Sequence, residues 1–528
     1  MKKINLMLAL IVPAMLFGQL KDTEWGTQSK KSPKKVLSKL IYKNDDKQLA
    51  IYTSNTLLPG SPKLVEFNNL NEGTSEKISI RVNNSMASYN DLFYIGDKLI
   101  LALADNTKEE ASLYFQEVSK DLLPVGEPKV MSSYQLEKKG AGKNDFDLYY
   151  SKDKEFFAIV TGTADANSLS KDEIGAESVR YEVFDKEMNM LFKDEYEFPP
   201  NRESFDLTSF YLSNSAELVM IIKDFKNIEY KKNGNIESRE FNGYHIYSFS
   251  ESESFDFVMD IGSEINPKSF SLNSNSNGIY TVTGSYSEAG SGATDGIFFV
   301  KFDSFEGEIL FNERYKFTDE FIRQDWTEKQ NKKFDRKSKR KDLDPAMYSY
   351  RVIFNGLNEN EEMVGVMEQY YVKVVTTTDS RGNTRTTYYY YYNDIIAYGV
   401  SKEGELNWIN KVNKSFVSAN DGGYFGSTAV TIDNNKVVLL FNDNIDNYEN
   451  DKYIAGIKPK LAGKVKKTRA AIITYSAESG KMTREINKID QPVKTFIIPK
   501  KTVFSPDGTR IYIPAVNRTK VSLGQLTL

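Results

Sequence analysis

The sequence predicts an all-β fold, a β-propeller of seven or eight four-stranded antiparallel blades. Two observations support this prediction. Aromatic residues make up 13% of the 528-residue chain, and pairs of Asn, Gly, Asp and Ser recur between apolar segments, which is typical of strands joined by tight turns. The same order of apolar segments also repeats about every 50 to 85 residues, a spacing that suits four strands and their loops.

The second strand of each repeat unit is its clearest feature, because it is strongly apolar and follows a tight polar turn. Eight such segments begin at Lys47, Asp97, Glu155, Ala216, Asn277, Glu361, Asn435 and Thr509. A four-stranded meander cannot cover both of its faces alone, whereas units packed side by side around an axis cover one another. The repeat therefore favours a propeller, and two separate β-sandwiches are the alternative architecture.

The number of blades depends on how the ring closes. The last unit reaches Leu528 before a fourth strand is evident, and propellers commonly close by pairing one terminus with the blade that the other terminus begins. The segment from Lys34 to Tyr42 is the candidate for that closing strand. Seven and eight blades are therefore both consistent with the sequence.

The N-terminus has the pattern of a secretory signal. Lys2 and Lys3 give a basic start, the stretch from Ile4 to Phe17 is apolar, and the small residue Gly18 follows. This order is typical of a cleaved signal peptide, and the apolar stretch is too short to span a bilayer. The sequence therefore predicts an exported protein, periplasmic or secreted.

The predicted domain organisation has three parts. They are a signal peptide over residues 1–18, an N-terminal linker or blade-closing segment over 19–37, and the propeller over 38–528. No later segment of the chain reaches the roughly 20 apolar residues that a membrane helix requires. We therefore expect the exported protein not to span a membrane.

One segment of the last unit resembles a known family. It reads VFSPDGTRIYIPA from Val503 and resembles the blade motif of TolB-type and related WD40-like periplasmic propellers, in which an SPDG turn links two strands. The resemblance implies the propeller fold, and it implies nothing specific about activity.

Composition excludes several chemistries. The chain has no cysteine and one histidine, so disulfides, thiolate nucleophiles and zinc sites rich in Cys or His are excluded. His245 lies in a predicted strand, without a G-x-S-x-G nucleophile elbow to complete a serine triad. The net charge of −4 argues against a nucleic-acid binder. The 73 acidic residues leave carboxylate catalysis open.

Long connections are predicted to share one face of the propeller. In a four-stranded blade, the connections between the second and third strands, and between successive blades, open on the same side. The long ones begin at Thr163, Phe225 and Asn444, together with a tyrosine-rich hairpin after Glu361 and an inter-blade segment from Thr318 to Tyr348. Long loops on a rigid frame commonly carry binding sites, so we call this side the long-loop face and expect the site there.

The hairpin reads KVVTTTDSRGNTRTTYYYYYND from Lys373. With a loop from Asp379 to Asn383, alternation places Val374 with Tyr388, Val372 with Tyr390, and Tyr370 with Tyr392 on one side. The candidate binding residues lie on the other side: Tyr371, Lys373, Tyr389 and Tyr391. They either form a stacking surface for a glycan or peptide or merely stiffen the hairpin.

Two basic runs are further candidates for binding. The first contributes Lys337, Lys339 and Arg340 from the inter-blade segment, and the second contributes Lys464, Lys466 and Lys467 from the connection that begins at Asn444. Together they would form a positive rim on an acidic protein, which would attract anionic glycans or acidic protein surfaces. A solvated loop without a partner is the alternative.

No cofactor is expected, with calcium at Asp443 and Asp446 as the one candidate, although the D-x-D-x-D-G spacing is absent. The predicted function is therefore non-enzymatic binding of a protein or an anionic glycan or other envelope polymer through the long-loop face, without nucleic acid. The alternative is a carboxylate-dependent glycan hydrolase or lyase with its site in the central depression of that face.

Overall fold

The computed structural model describes residues 23–528 apart from short internal segments. Those segments are 32–33, 55–60, 84, 107–109, 136–145, 163–177, 199–203, 233–235, 252–253, 260, 263, 275–277, 289–290, 305, 342–344, 359, 434, 487–488 and 518. The predicted signal peptide over 1–18 and most of the connection beginning at Thr163 lie outside the described residues. No helix among the described residues is long and apolar enough to cross a membrane.

The described chain forms eight antiparallel sheets of four or six strands, which we call blades one to eight, and one two-stranded hairpin. The first seven are each built from four successive main strands, and blade eight combines the C-terminal strands with the N-terminal ones. The all-β propeller is confirmed, and its number of blades is eight.

Blades one to four consist of strands that pair with their neighbours in chain order. The strands are Lys35–Asn44, Lys47–Ser54, Lys63–Asn68 and Asn71–Lys77 in blade one; Ser88–Ile95, Lys98–Asn106, Glu110–Val118 and Pro124–Gln135 in blade two; Phe146–Tyr150, Phe156–Thr161, Ser178–Asp185 and Met190–Glu197 in blade three; and Phe205–Leu212, Leu218–Tyr230, Ile236–Phe249 and Ser254–Met259 in blade four. A small hairpin of Arg81–Val82 and Ser85–Met86 precedes blade two.

Blades five to eight follow the same order, with short additions in the last two. The strands are Ile265–Ser274, Ile279–Glu288, Gly296–Asp303 and Glu308–Lys316 in blade five; Tyr350–Leu357, Met363–Thr378, Thr384–Val400 and Leu406–Ala419 in blade six; Ala429–Asp433, Lys436–Asn444, Thr468–Ser476 and Met482–Ile486, with Tyr448–Glu449 and Lys452–Tyr453 added, in blade seven; and Phe496–Ile497, Val503–Phe504, Arg510–Val516, Lys520–Thr527, Thr23–Trp25 and Ser29–Lys30 in blade eight. Two helices, α1 (Asp319–Arg323) and α2 (Glu328–Lys341), lie between blades five and six, and 3-10 turns occupy Ile445–Asn447 and Pro499–Lys501.

The second strands are apolar throughout because both faces of each blade are buried. In blade two, Leu99, Leu101 and Leu103 pack against blade one. The intervening residues Ile100 and Ala102 pack against blade three. Alternate side chains point to opposite faces of a strand, so one apolar run supplies two interfaces.

Buried apolar clusters join the blades into a closed ring. Each of seven clusters contains residues of two successive blades. The eighth joins the ends of the series, since Tyr52 and Val65 of blade one pack with Tyr512 and Leu523 of blade eight. The order of the blades around the axis is therefore the order of the sequence.

The ring closes through the N-terminal strands, not through the expected segment from Lys34 to Tyr42. Thr23–Trp25 and Ser29–Lys30 both pair with Lys520–Thr527, whereas Lys35–Asn44 is the first strand of blade one. The Trp25 indole N–H donates to the Ile489 carbonyl at 2.5 Å. A Cβ atom at Gly524 would lie 2.7 Å from the Trp25 ring, so the closing strand requires glycine there.

The long connections that the structure describes lie on the predicted face. The hairpin of blade six extends to a turn at Asp379–Asn383, and α1 and α2 enter blade six from the same side because they link a fourth strand to a first strand. Turns on the opposite face are short, as at Asp45–Asp46 and Gly96–Asp97. The propeller therefore has one plain face and one long-loop face.

Trp25→Ala is expected to lower the free energy of unfolding by about 2 to 3 kcal/mol, because it removes the indole side chain from the seam, the pairing of Thr23–Trp25 with Lys520–Thr527 that closes the propeller. The measurement is the midpoint of urea-induced unfolding. Val493→Ala, at a largely exposed apolar residue, is the control and should change stability by about 0.5 kcal/mol or less. Equal midpoints for Trp25→Ala and the wild type would contradict a stabilising role of the seam.

Candidate functional site

A pocket of about 440 Å³ is lined by residues of three successive blades. The first strands of blades one and two and the interrupted first strand of blade eight line it. First strands of neighbouring blades also contact one another elsewhere in the ring, so the first strands, and this pocket with them, lie towards the propeller axis. We call it the axial pocket, and its lining residues are Ser38, Lys39, Leu40, Tyr89, Asn90, Asp91, Lys500, Lys501, Thr502 and Val503.

Irregular backbone turns polar residues towards this pocket. The register of the first strand skips Ser38 in blade one and Asn90 in blade two, so each is the extra residue of a β-bulge. In blade eight, the 3-10 turn Pro499–Lys501 interrupts the first strand. Bulges bend a strand and redirect its side chains, and they are common beside functional sites.

The wall of the pocket is held by an ion pair with a tyrosine. Lys39 Nζ lies 2.7 Å from Asp91 Oδ1, and the Tyr150 hydroxyl donates to Asp91 Oδ2 at 2.9 Å. Lys154 Nζ lies 4.9 Å from the centre of the Tyr150 ring. Asp91 therefore has both oxygens engaged, and it is the one carboxylate that lines the pocket among the described residues.

Positive charges accumulate around this carboxylate. Burial lowers the pKa of Lys501, and repulsion from Lys39 lowers it further. Burial likewise lowers the pKa of Lys500, with additional repulsion from Arg351. The pKa of Lys154 is lowered by burial and by Lys39. Asp91, Asp153, Glu368 and Asp421 offset part of this repulsion. An anion placed between Lys39, Lys500 and Lys501 would relieve the remainder.

The axial pocket adjoins the base of the tyrosine-rich hairpin. Lys500 Nζ donates to the Tyr392 hydroxyl at 2.6 Å, and the Arg351 guanidinium lies 4.0 Å from the centre of the Tyr370 ring. Tyr392 is fully buried beside Phe416. These contacts place a blade-eight lysine against a blade-six tyrosine at the pocket edge.

The outer part of this hairpin, from Tyr370 to Tyr392, we call the arm. The predicted pairs are confirmed: Val374 with Tyr388, Val372 with Tyr390, and Tyr370 with Tyr392. The turn is closed by a hydrogen bond from Asp379 N–H to the Asn383 carbonyl at 3.0 Å. Gly382 has φ of +80° there, a conformation that favours glycine.

The candidate tyrosines and lysine of the arm lie on the side opposite to Tyr392. Tyr371 and Lys373 are exposed, and Tyr389 and Tyr391 are half-buried. The rings of Tyr371 and Tyr391 stack at 4.7 Å between centres. These four residues are together on one surface, as their alternation predicts, and none lines the axial pocket.

The predicted basic residues lie on two separate elements. Lys337 and Lys339 are exposed on α2, while the side chain of Arg340 lies outside the described residues. Helix α2 is held by Arg323, which lies 2.7 Å from Asp335. No described residue of α2 lines the axial pocket.

In the basic run of blade seven, one of the three candidate lysines forms an ion pair. Lys464 and Lys466 are exposed, whereas Lys467 Nζ lies 2.6 Å from Asp446 Oδ2. The two runs are thus surface features, and they do not belong to the axial pocket.

The two candidate calcium ligands are engaged by protein groups. Asp443 is fully buried and pairs with Arg484 at 2.5 Å, and it also accepts hydrogen bonds from Tyr448 and Asn447. Asp446 pairs with Lys467. Within the described ranges, no cluster of three or more His, Cys, Asp or Glu residues has the arrangement of a metal site.

A buried ionic network supports the base of the arm. Glu368 and Lys414 are 0% and 1% exposed and lie 2.5 Å apart. Thr428 also donates to Glu368 Oε1 at 2.9 Å. Asp394, next in this network, accepts from the Lys414 backbone N–H at 3.1 Å, and burial raises its pKa to about 6.

Sequence reasoning offered a site in the central depression of the long-loop face as the alternative, but it named none of the residues that line the axial pocket. Its residues come from positions near 39, 91 and 500, and no local motif joins them. The one available signal was Pro499 followed by Lys500 and Lys501 at a first-strand position, since proline within a strand marks an edge or an irregularity.

No family model matches the chain, and no curated protein matches its sequence, so the TolB-type resemblance stays a prediction. Similar solved structures include a prolyl endopeptidase, at a TM-score of 0.40 and 10% identity over 91% of this chain and 54% of that one. Others are the polysaccharide lyase Uly1, at 0.36 and 9% over 95% and 98% of the two chains, and prolyl oligopeptidase B from Galerina marginata, at 0.36 and 9% over 92% and 56%. The chain spans about half the length of the two peptidases. These TM-scores are too low to transfer any activity.

Asp394→Asn is expected to change how stability depends on pH. The folded protein holds the Asp394 proton up to about pH 6, whereas the unfolded chain releases it near pH 4. Between these values the folded state binds more protons, so the stability of the wild type falls as pH rises. Relative to Asp394→Asn, the wild type should lose up to about 3 kcal/mol between about pH 4 and about pH 7.

The measurement is urea unfolding of both proteins across this pH range. Asp121→Asn, at an exposed turn, serves as the control and should leave the pH profile of the wild type unchanged. A constant difference between the wild type and Asp394→Asn at every pH would contradict the raised pKa.

Proposed function

We propose that this protein is an exported binder of acidic glycan chains, which place a carboxylate or sulfate in the axial pocket. The observation that carries the proposal is that the pocket lining holds three cations, Lys39, Lys500 and Lys501, against one carboxylate, Asp91. Lys154 and Arg351 add positive charge nearby. An anionic group would supply the missing negative charge.

The remaining lining suits a sugar. Ser38, Asn90 and Thr502 offer hydroxyl and amide groups, and ligand sites commonly use a few such polar groups to fix orientation. The base of the arm adds the rings of Tyr370 and Tyr390 to the same side as Tyr392. Aromatic rings with a polar tip stack well against the partly apolar faces of sugar rings.

A second candidate function is cleavage of the bound glycan by β-elimination. Lys500 and Lys501 combine a lowered pKa with a position in the pocket, and such a lysine can serve as a general base. Lys500 also contacts the Tyr392 hydroxyl. Hydrolysis by two carboxylates receives less support, because Asp91 is the one carboxylate among the described lining residues.

The test of binding is calorimetric titration with short oligogalacturonates, with neutral malto-oligosaccharides of equal length as the comparison ligand. The acidic ligand is expected to bind, and more weakly as salt is raised. The double variant Lys500→Ala/Lys501→Ala should weaken binding by about tenfold or more, since it removes charged partners from a partly desolvated site.

Lys98→Ala is the matched control, because Lys98 is exposed beside a plain-face turn. It should bind like the wild type. The proposal would be contradicted if the neutral ligand bound as tightly as the acidic one. It would also be contradicted if Lys98→Ala weakened binding as much as Lys500→Ala/Lys501→Ala. The elimination candidate is checked in the same samples by the ultraviolet absorbance of an unsaturated uronate, and no rise with time would reject it.

A further inference from the structure

One edge of the arm is an unpaired strand. Met363–Thr378 pairs with the first strand of blade six only up to Gln369, which lies opposite Tyr350. Beyond this point, no described strand pairs with its outer edge, while its other edge pairs with Thr384–Val400 as far as the turn. The stretch from Tyr371 to Thr378 is therefore a free β-edge, and we call it the arm edge.

The pairing of the two hairpin strands determines which backbone N–H and C=O groups point outward from the arm edge. The Tyr370 N–H points away from the hairpin partner, because it donates to the Ser349 carbonyl at 2.9 Å. In an antiparallel pair every second residue points the same way. Val372, Val374 and Thr376 therefore present their N–H and C=O groups outward along the arm edge.

The two faces of the arm differ in chemistry beside this edge. Val372, Val374 and Tyr388 lie on one face and are 40%, 53% and 46% exposed. Lys373 and Arg385 lie on the other face, and both are exposed. A strand added to the edge would meet apolar side chains on one face and basic side chains on the other.

The arm edge faces the propeller axis. Within blade six, the first strand lies on the axis side of the second strand, and the arm edge continues that side of the second strand. Arg351 and Lys500 lie at the base of the arm. The surroundings of the edge are thus basic, and an acidic partner would be complementary to them.

We propose that the arm edge binds an extended, acidic polypeptide segment, which pairs with it as an additional β-strand. Outward N–H and C=O groups repeat about every 6.6 Å along a strand, and a polypeptide backbone matches this repeat, whereas a glycan does not. Strand addition to an exposed edge is an established mode of peptide recognition. The segment would carry Val or Thr on one face and Glu or Asp on the other.

A second copy of this chain fits the edge less well. The arm carries Lys373, Arg381 and Arg385 against one acidic residue, Asp379. The Asp379 carboxylate already accepts hydrogen bonds from the backbone N–H groups of Arg381 and Asn383 in the turn. Two arms paired edge to edge would bring their lysines together, and lysine on an edge strand is a known guard against such pairing. This proposal does not depend on the ligand of the axial pocket.

The probe is a short fluorescein-labelled peptide in which Val and Thr alternate with Glu, and binding is followed by fluorescence anisotropy. We expect the Glu peptide to bind the wild type and the same peptide with Lys in place of Glu to bind at least about tenfold more weakly. Two forms of the Glu peptide carry N-methyl groups on alternate backbone amides, one form on the odd amides and the other on the even ones. Only the form whose methylated amides would face the arm edge should lose binding, because it lacks the N–H donors of the strand pairing.

Val374→Pro removes an outward N–H from the arm edge and should weaken binding about tenfold or more. Thr386→Pro is the matched control. Tyr388 donates its N–H to Asn420 on the opposite edge, so Thr386 presents its N–H outward on that edge too, and this variant should bind like the wild type. An unchanged unfolding midpoint establishes that each propeller is intact.

Equal binding of the Glu and Lys peptides, retained binding by Val374→Pro, or no binding of either peptide would overturn the proposal. Dimers that form in the wild type and vanish in Val374→Pro, seen by sedimentation, would assign the edge to a second copy. Loss of oligogalacturonate binding in Val374→Pro would mean that the edge serves the glycan.

Discussion

Every blade of this protein must bury both of its faces, and the rest of the structure depends on that constraint. A single sheet such as blade two uses alternate residues of one strand, Leu101 and Ile100 among them, to meet two neighbours. Each blade is therefore stable only between two others, and the series has to close. The first and last strands of the described chain close the ring by pairing with each other, and Trp25 covers Gly524 there. Because each blade is stabilised by its neighbours, we expect the unfolding of the whole ring to depend on this pairing.

Closure of the propeller also determines which side chains lie near its axis. First strands converge there, and in five blades their register skips one residue: Ser38, Asn90, Thr208, Lys268 and Ile353. A bulge increases local twist and releases a residue from the ladder. The crowding of first strands around the axis thus supplies irregular backbone at the positions where a pocket can hold polar side chains. Lys39 and Asp91 each directly follow such a released residue.

The sequence predicted the features that depend on local periodicity. The apolar second strands gave the repeat, and alternation with a short polar turn gave the register of the arm, including Tyr370 with Tyr392. It offered 19–37 as a linker or blade-closing segment but named Lys34 to Tyr42 as the closing strand, because Thr23–Trp25 is too short to show alternation. It offered a central depression as an alternative site but did not predict the residues of the axial pocket, because Lys39 and Lys500 meet only after the ring has closed. Asp443 was named with Asp446 as the one calcium candidate because of its acidic neighbours, whereas its partner Arg484 comes from a different strand.

The arm and the axial pocket form one mechanical unit. Tyr392 lies between Lys500 of blade eight and the buried pair of Glu368 and Lys414 in blade six. Removing one partner of a fully buried ion pair costs about 3 to 5 kcal/mol, so the pair strongly resists rearrangement at the base of the arm. Glu368 Oε2 and Arg351 Nε are buried without a hydrogen-bond partner among the described residues, which leaves unmet bonding capacity beside Tyr392. The rigid base favours one direction of the arm, so an extended segment on its edge would lie on the axis side of blade six.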